Sequence, residues 1–224
     1  MAAPHRDAAT LNVLFVGNSF TARNDLPSLI AALAQTRGKR MERRLISAGG
    51  ASLRRHWNAG EALTAIQESR YDCVVLQEQS TLPIKSPKRM HESIRLFDKA
   101  IQESGATTVL YLTWARQQAP ETQQVITDAY TSIADELGAT VAPVGIAWEN
   151  FLSKHSAPPL HDKDDSHPTL AGSYLTACIF LSVLFGETSV GIKSDVEGLA
   201  VTDRNLLQKS AWQTYQAFTA KGRR

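Results

Sequence analysis

The 224-residue sequence has two cysteines, little net charge, few aromatics and no long hydrophobic run, and each shortage removes a class of protein. Cys73 and Cys178 both lie in apolar stretches, where a cysteine behaves as a small core residue. Two such residues make neither a disulfide framework nor a metal motif. The six histidines show no H-E-x-x-H or paired-cysteine spacing, so neither a metal site nor a cofactor is expected. The most apolar stretch, Leu170 to Phe185, is interrupted by Gly172, Ser173, Thr176 and Ser182. It falls short of the ~20 apolar residues that span a bilayer, and reads as a buried helix. The start, MAAPHRDAAT, carries no apolar core ahead of a cleavage site, so the cytoplasm is the expected compartment unless a leader has been removed. A net charge of +2 calls for no polyanionic partner, and no nucleic acid is expected. The one basic cluster, Arg37, Lys39, Arg40, Arg43 and Arg44, has no interleaved aromatics and suits a solvated helix end. Nothing in the sequence sets the oligomeric state.

What is present is an ordinary globular composition, 43% hydrophobic and 21% charged, long enough for one domain with a real core. Residues 1–10 read as an N-terminal extension and 11–224 as a single domain. Five β-rich runs fall at 11–16, 43–47, 72–77, 107–113 and 139–144. Between them lie helical stripes: Leu26, Leu29, Ile30 and Leu33; Met90, Ile94, Phe97 and Ile101; Ile126, Ala129, Ile133 and Leu137. Each stripe ends near a glycine (Gly38, Gly105, Gly138) that can cap it in the left-handed region. YDCVVLQ and TTVLYLTW are continuously apolar, as strands covered on both faces are. The expected architecture is a three-layer α/β/α sandwich around a parallel five-stranded sheet. The stretch 145–166 is the longest expected loop, and long loops inside compact domains tend to be functional.

In open parallel sheets, ligands sit at the carboxyl ends of the strands. After the first strand stand Gly17, Asn18 and Ser19; after the second, Gly49 and Gly50; after the third, Gln77, Glu78 and Gln79; after the fourth, Trp114 and Arg116. A hydroxyl, a bare glycine backbone and side-chain amides on one edge supply a nucleophile and oxyanion donors. Alone, Ser19 would be a turn residue. A serine nucleophile needs a base, and the base an orienting acid. Asp162, Asp164 and Asp165 crowd the approach to His167, and Asp164, three residues before it, can return on the imidazole through a tight turn. Pro168 is expected to open the following helix as its first residue, which keeps His167 at a non-helical junction.

These blocks resemble the SGNH (GDSL-type) hydrolase superfamily over roughly residues 11 to 186. Gly17-Asn18-Ser19-Phe20-Thr21 is similar to its nucleophile block and Asp164-x-x-His167-Pro168 to its D-x-x-H block. The resemblance implies a flavodoxin-like sheet, a catalytic triad of Ser19, His167 and Asp164, and an oxyanion hole. The hole would be formed by the Ser19 amide, a glycine amide that the G-x-T/S register assigns to Gly50, and a third-block side-chain amide. That block usually reads G-x-N-D; here register puts Gln79 in the asparagine's place, with Gln77 as rival. Asn18 stands where the family name carries aspartate. Trp114 and Arg116 are candidate substrate contacts. The expected activity is hydrolysis of a small acyl ester, a carbohydrate O-acetyl or short-chain ester among them, through an acyl-enzyme. The alternatives are a flavodoxin-like phosphate- or flavin-binding protein and a catalytically idle binding module.

Overall fold

A computed structural model describes residues 10–193 and 195–221; the extension expected over 1–10 falls, apart from Thr10, outside them. In chain order the elements are β1 (Leu11–Gly17), α1 (Ser19–Ala22), α2 (Leu26–Thr36), β2 (Met41–Ser47), α3 (Leu53–Ala59), α4 (Glu61–Glu68), β3 (Cys73–Leu76) and α5 (Leu82–Lys85). They continue with α6 (Pro87–Glu103), β4 (Thr107–Tyr111), α7 (Gln123–Leu137), β5 (Thr140–Ala142), α8 (Val144–Leu152), α9 (Leu170–Phe185) and α10 (Val201–Lys221). The five strands pair in parallel in the order β2-β1-β3-β4-β5.

Strand alternation divides the core in two. Val13, Phe15, Val75 and Tyr111 face α2, α8, α9 and α10; Leu14, Val16, Leu76 and Leu110 face α3, α4, α6 and α7. Because both faces are covered, β3 is buried at every position, which accounts for its unbroken apolar run. The stripe Met90, Ile94, Phe97 and Ile101 on α6 is wholly buried, as its spacing predicts. α9 is buried on every side through its first three turns, so it shows no polar face in the sequence. Among the described residues no helix is long and apolar enough to cross a membrane.

Two expectations are corrected. The stretch 145–166 is not one loop, because α8 takes up its first third; Val144, Ala147, Trp148 and Phe151 form a buried stripe at helical spacing. Pro168 does not open α9. Thr169 is the N-cap, its hydroxyl accepting from the Gly172 N–H at 3.2 Å, while Pro168 pairs with His161 in an isolated bridge. The hydroxyl cap satisfies a donor that a proline start would leave open.

The register levels the carboxyl ends of three strands. Gly17 lies beside Ser47, and Val16 beside Leu76. The chain leaves β1 for one side of the sheet and returns on the other at β3, so β1 ends at the topological switch point where such folds place ligands.

Candidate active site

The turn after β1 is tied from three directions. Asn18 caps the four-residue α1, its Oδ1 accepting from the Phe20 N–H at 3.0 Å. Its side-chain amide donates to the Ala51 carbonyl at 3.0 Å, which an aspartate could not do. Its backbone N–H donates to Gln77 Oε1 at 2.8 Å. Below it, His56 Nε2 bonds the Gly17 carbonyl at 2.7 Å. Burial holds the His56 pKa down, so it is a neutral ring donating Nε2–H. Ser19 is thereby set as the first residue of α1, half-buried, on a rigid turn.

The loop before α9 brings up the other two residues. His167 Nε2 lies 2.7 Å from Ser19 Oγ, across 148 positions of sequence. His167 Nδ1 bonds Asp164 Oδ2, and Asp164 Oδ1 accepts from the backbone N–H of His167 at 2.9 Å and of Ser166 at 3.1 Å. The backbone N–H of His167 and its ring, in that order, hold the Asp164 carboxyl well below the usual carboxylate range. An ionised carboxylate only accepts, so in the neutral ring the proton sits on Nδ1 and Nε2 presents its lone pair to Ser19. Trp114 Nε1–H donates to the Ser166 carbonyl at 3.0 Å and anchors this loop, while Phe20 stands edge-on to the imidazole at 5.5 Å.

Of the third-block residues, Gln77 is fully buried and turned away from the cleft. Its Oε1 also accepts from Thr21 Oγ1 at 3.0 Å, and its amide donates to the Glu78 carbonyl. Gln79 Oε1 accepts from the N–H and hydroxyl of Thr81, at 2.9 and 3.0 Å. That leaves the Gln79 amide N–H groups, like the backbone N–H of Ser19 and of Gly50, without an acceptor among the described residues. Gly50 adopts a φ of 62°, in the left-handed region where glycine carries no penalty.

Trp114 is 2% exposed and stacks between Phe20, at 4.6 Å, and Trp148, at 3.8 Å; it is a wall, not an open platform. Arg116 is exposed. Both line a cavity of about 370 Å³ bounded by α8 and the segment 156–161, whose walls do not include Ser19. Burial pushes the Cys73 and Cys178 thiols up to about 12, so neither offers a thiolate.

Sequence reasoning missed three supports: Asn18, His56 and Glu78. Glu78 is buried, and its carboxyl is pushed up to about 7 by that burial. The partners that tie them to other elements lie 25 to 59 positions away, so no local spacing marks them.

A parallel 2-1-3-4-5 sheet with helices on both sides is the fold of the SGNH hydrolases. Among solved structures similar to the chain is a candidate SGNH hydrolase from Slackia heliotrinireducens, 27% identical, with a TM-score of 0.70 over 79% of this chain and all of the other. A DUF4886 family protein from Bacteroides uniformis is 19% identical and matches with a TM-score of 0.73 over 94% and 95% of the two chains. The psychrotrophic esterase EstA from Pseudoalteromonas sp., in a structure inhibited by monoethylphosphonate, is 16% identical with a TM-score of 0.59 over 77% and 96%. No protein-family model matches the sequence, and no curated protein does.

Proposed function

We propose that the protein is a serine hydrolase of ester bonds, with Ser19 as nucleophile, His167 as base and Asp164 as its orienting acid. The observation that carries this reading is the unbroken chain from Ser19 Oγ through both ring nitrogens of His167 to Asp164. His167 Nε2 takes the Ser19 proton as Oγ attacks the ester carbonyl, and returns it to the leaving alcohol as the tetrahedral intermediate collapses. Water then repeats the sequence on the acyl-enzyme. The N–H groups of Ser19 and Gly50 and the Gln79 amide hold the oxyanion; losing one such donor costs about 10²–10³ in turnover. The substrate class that fits is a small acyl ester, a carbohydrate O-acetyl or short-chain ester among them. The similarity to an esterase structure supports the class of reaction. A phosphate- or flavin-binding turn would give the His167–Asp164 pair nothing to do.

Hydrolysis of 4-nitrophenyl acetate by Ser19→Ala tests the reading. Turnover is expected to fall by at least about 10³-fold with the fold intact by circular dichroism. Wild-type turnover in that variant overturns it.

A further inference from the structure

Glu78 is an unusual residue to bury. Its side chain is wholly enclosed, and one carboxylate oxygen, Oε2, has no partner among the described residues. The other, Oε1, accepts two backbone N–H groups, from Leu53 at 3.0 Å and from Gln79 at 2.6 Å. Leu53 begins α3 directly after the turn that carries Gly50, and Gln79 carries the side-chain amide of the third block. One carboxylate oxygen therefore staples together the two loops that bear oxyanion donors. The Glu78 backbone extends the same frame. Its N–H meets Tyr130 Oη of α7 at 3.3 Å, and its carbonyl receives the amide of Gln77, whose Oε1 holds the Ser19 turn through Asn18 and Thr21.

We propose that Glu78 is a positioning residue for catalysis: its carboxylate fixes the Gly50 turn and Gln79 at the spacing one oxyanion requires. The inference rests on the serine-hydrolase reading above. A purely structural explanation fits poorly. Enclosing a carboxyl with one bare oxygen is expensive, and apolar replacement of buried charges is often neutral or stabilising. Oxyanion donors are useful only within ~2.7–3.1 Å of the developing charge, so a rigid cross-link between their loops acts directly on the transition state. The short contact to the Gln79 N–H is the geometry of a charge-assisted bond, which weakens when the carboxyl is protonated. The charged or titratable groups facing it are Arg54 of α3, Arg89 of α6 and Tyr130 of α7. Burial keeps the Tyr130 phenol neutral, while the Glu78 carboxyl, pushed up to about 7, changes charge near neutrality.

The test is a double-mutant cycle on 4-nitrophenyl acetate with Glu78→Ala, Gln79→Ala and the pair. Glu78→Ala is expected to lower kcat about 10²-fold with KM within about threefold, because only transition-state contacts are lost. The pair should lose little more than Glu78→Ala alone, since releasing the two loops already displaces the donor that Gln79→Ala removes. Glu78→Gln keeps an acceptor oxygen and should recover all but about tenfold. Wild-type kcat in Glu78→Ala, or losses that multiply in the pair, overturns the proposal. Should Glu78→Ala not fold, Glu78→Gln decides through the pH dependence of kcat. The kcat ratio of wild type to Glu78→Gln should fall from about tenfold at pH 8 toward one at pH 5, since protonation leaves the wild type a neutral acceptor too, and a constant ratio counts against the proposal. Ser19→Ala, run alongside, separates the two ideas: activity surviving there removes the hydrolase reading itself, whereas activity lost there but untouched at Glu78 removes only this one.

Discussion

Asp162, Asp164 and Asp165 stand within four positions of one another, yet the fold commits each differently. Asp162 pairs with Arg23 at 2.9 Å, both side chains substantially exposed; Asp165 accepts from Gln118 at a left-handed φ of 58°; Asp164 alone reaches His167. Asp164→Asn should therefore lower kcat by about 10²–10⁴-fold at unchanged fold, because an amide can no longer hold the proton on Nδ1. Asp165→Asn should stay within a few-fold, since an amide oxygen can still accept from Gln118. Steady-state kinetics of the two variants at one pH check this, and a reversed ranking contradicts it. The Asp164–His167 pair was legible in the sequence because a three-residue turn is local chemistry. Ser19 was legible because a strand end has a fixed place in a parallel sheet. Glu78 and Asn18 were not, because nothing near them in sequence shows which distant N–H or carbonyl they meet.

At the scale of elements, the site depends on how closely β1 and β3 approach where they end. A Cβ built on Gly17 would lie 2.6 Å from Thr21 Oγ1 and 2.7 Å from Gln77 Oε1, so only a glycine lets the Ser19 turn fold down onto Gln77. Gly17→Ala should push both partners away. We expect a stability loss of about 1–3 kcal/mol from overpacking. Turnover should fall about 10²-fold as Ser19 leaves its alignment. Urea unfolding and 4-nitrophenyl acetate kinetics together check it, and a stable, fully active variant contradicts the close packing. The strands were readable to within two residues at every end, because a sheet covered on both faces needs continuous apolar runs. α8 was hidden by Pro143 and Gly145 at its start. That glycine is needed not for helix shape but for contact: its Cβ would come within 2.0 Å of the Thr113 carbonyl.

For the whole molecule, Glu78 and Asp164 give stability opposite dependences on pH. Asp164 has its folded pKa lowered, so its contribution is present above its ordinary value of 3.8 and is lost as acid is added below it. Glu78 has its folded pKa raised from 4.5 to about 7, so the fold favours the neutral acid. Stability is then full below 4.5 and falls as the pH rises to about 7, by up to about 3 kcal/mol. Urea unfolding of the wild type at pH 5 and pH 8 should show that fall, and Glu78→Gln should abolish most of it. An equal fall in both proteins would contradict the burial of an ionisable Glu78. The charge that weakens the fold at pH 8 is the one that staples the donor loops, so stability and turnover are expected to move in opposite directions across neutrality.

The central claim, that Ser19 is the nucleophile of an ester hydrolase, is tested most directly by covalent trapping. An alkyl phosphonate fluoride mimics the tetrahedral intermediate and should phosphonylate the serine that His167 activates. Peptide mass mapping of the inactivated protein is predicted to show one adduct, on Ser19, and none after His167→Ala. An adduct on another residue, or full activity in protein labelled at Ser19, would contradict the account.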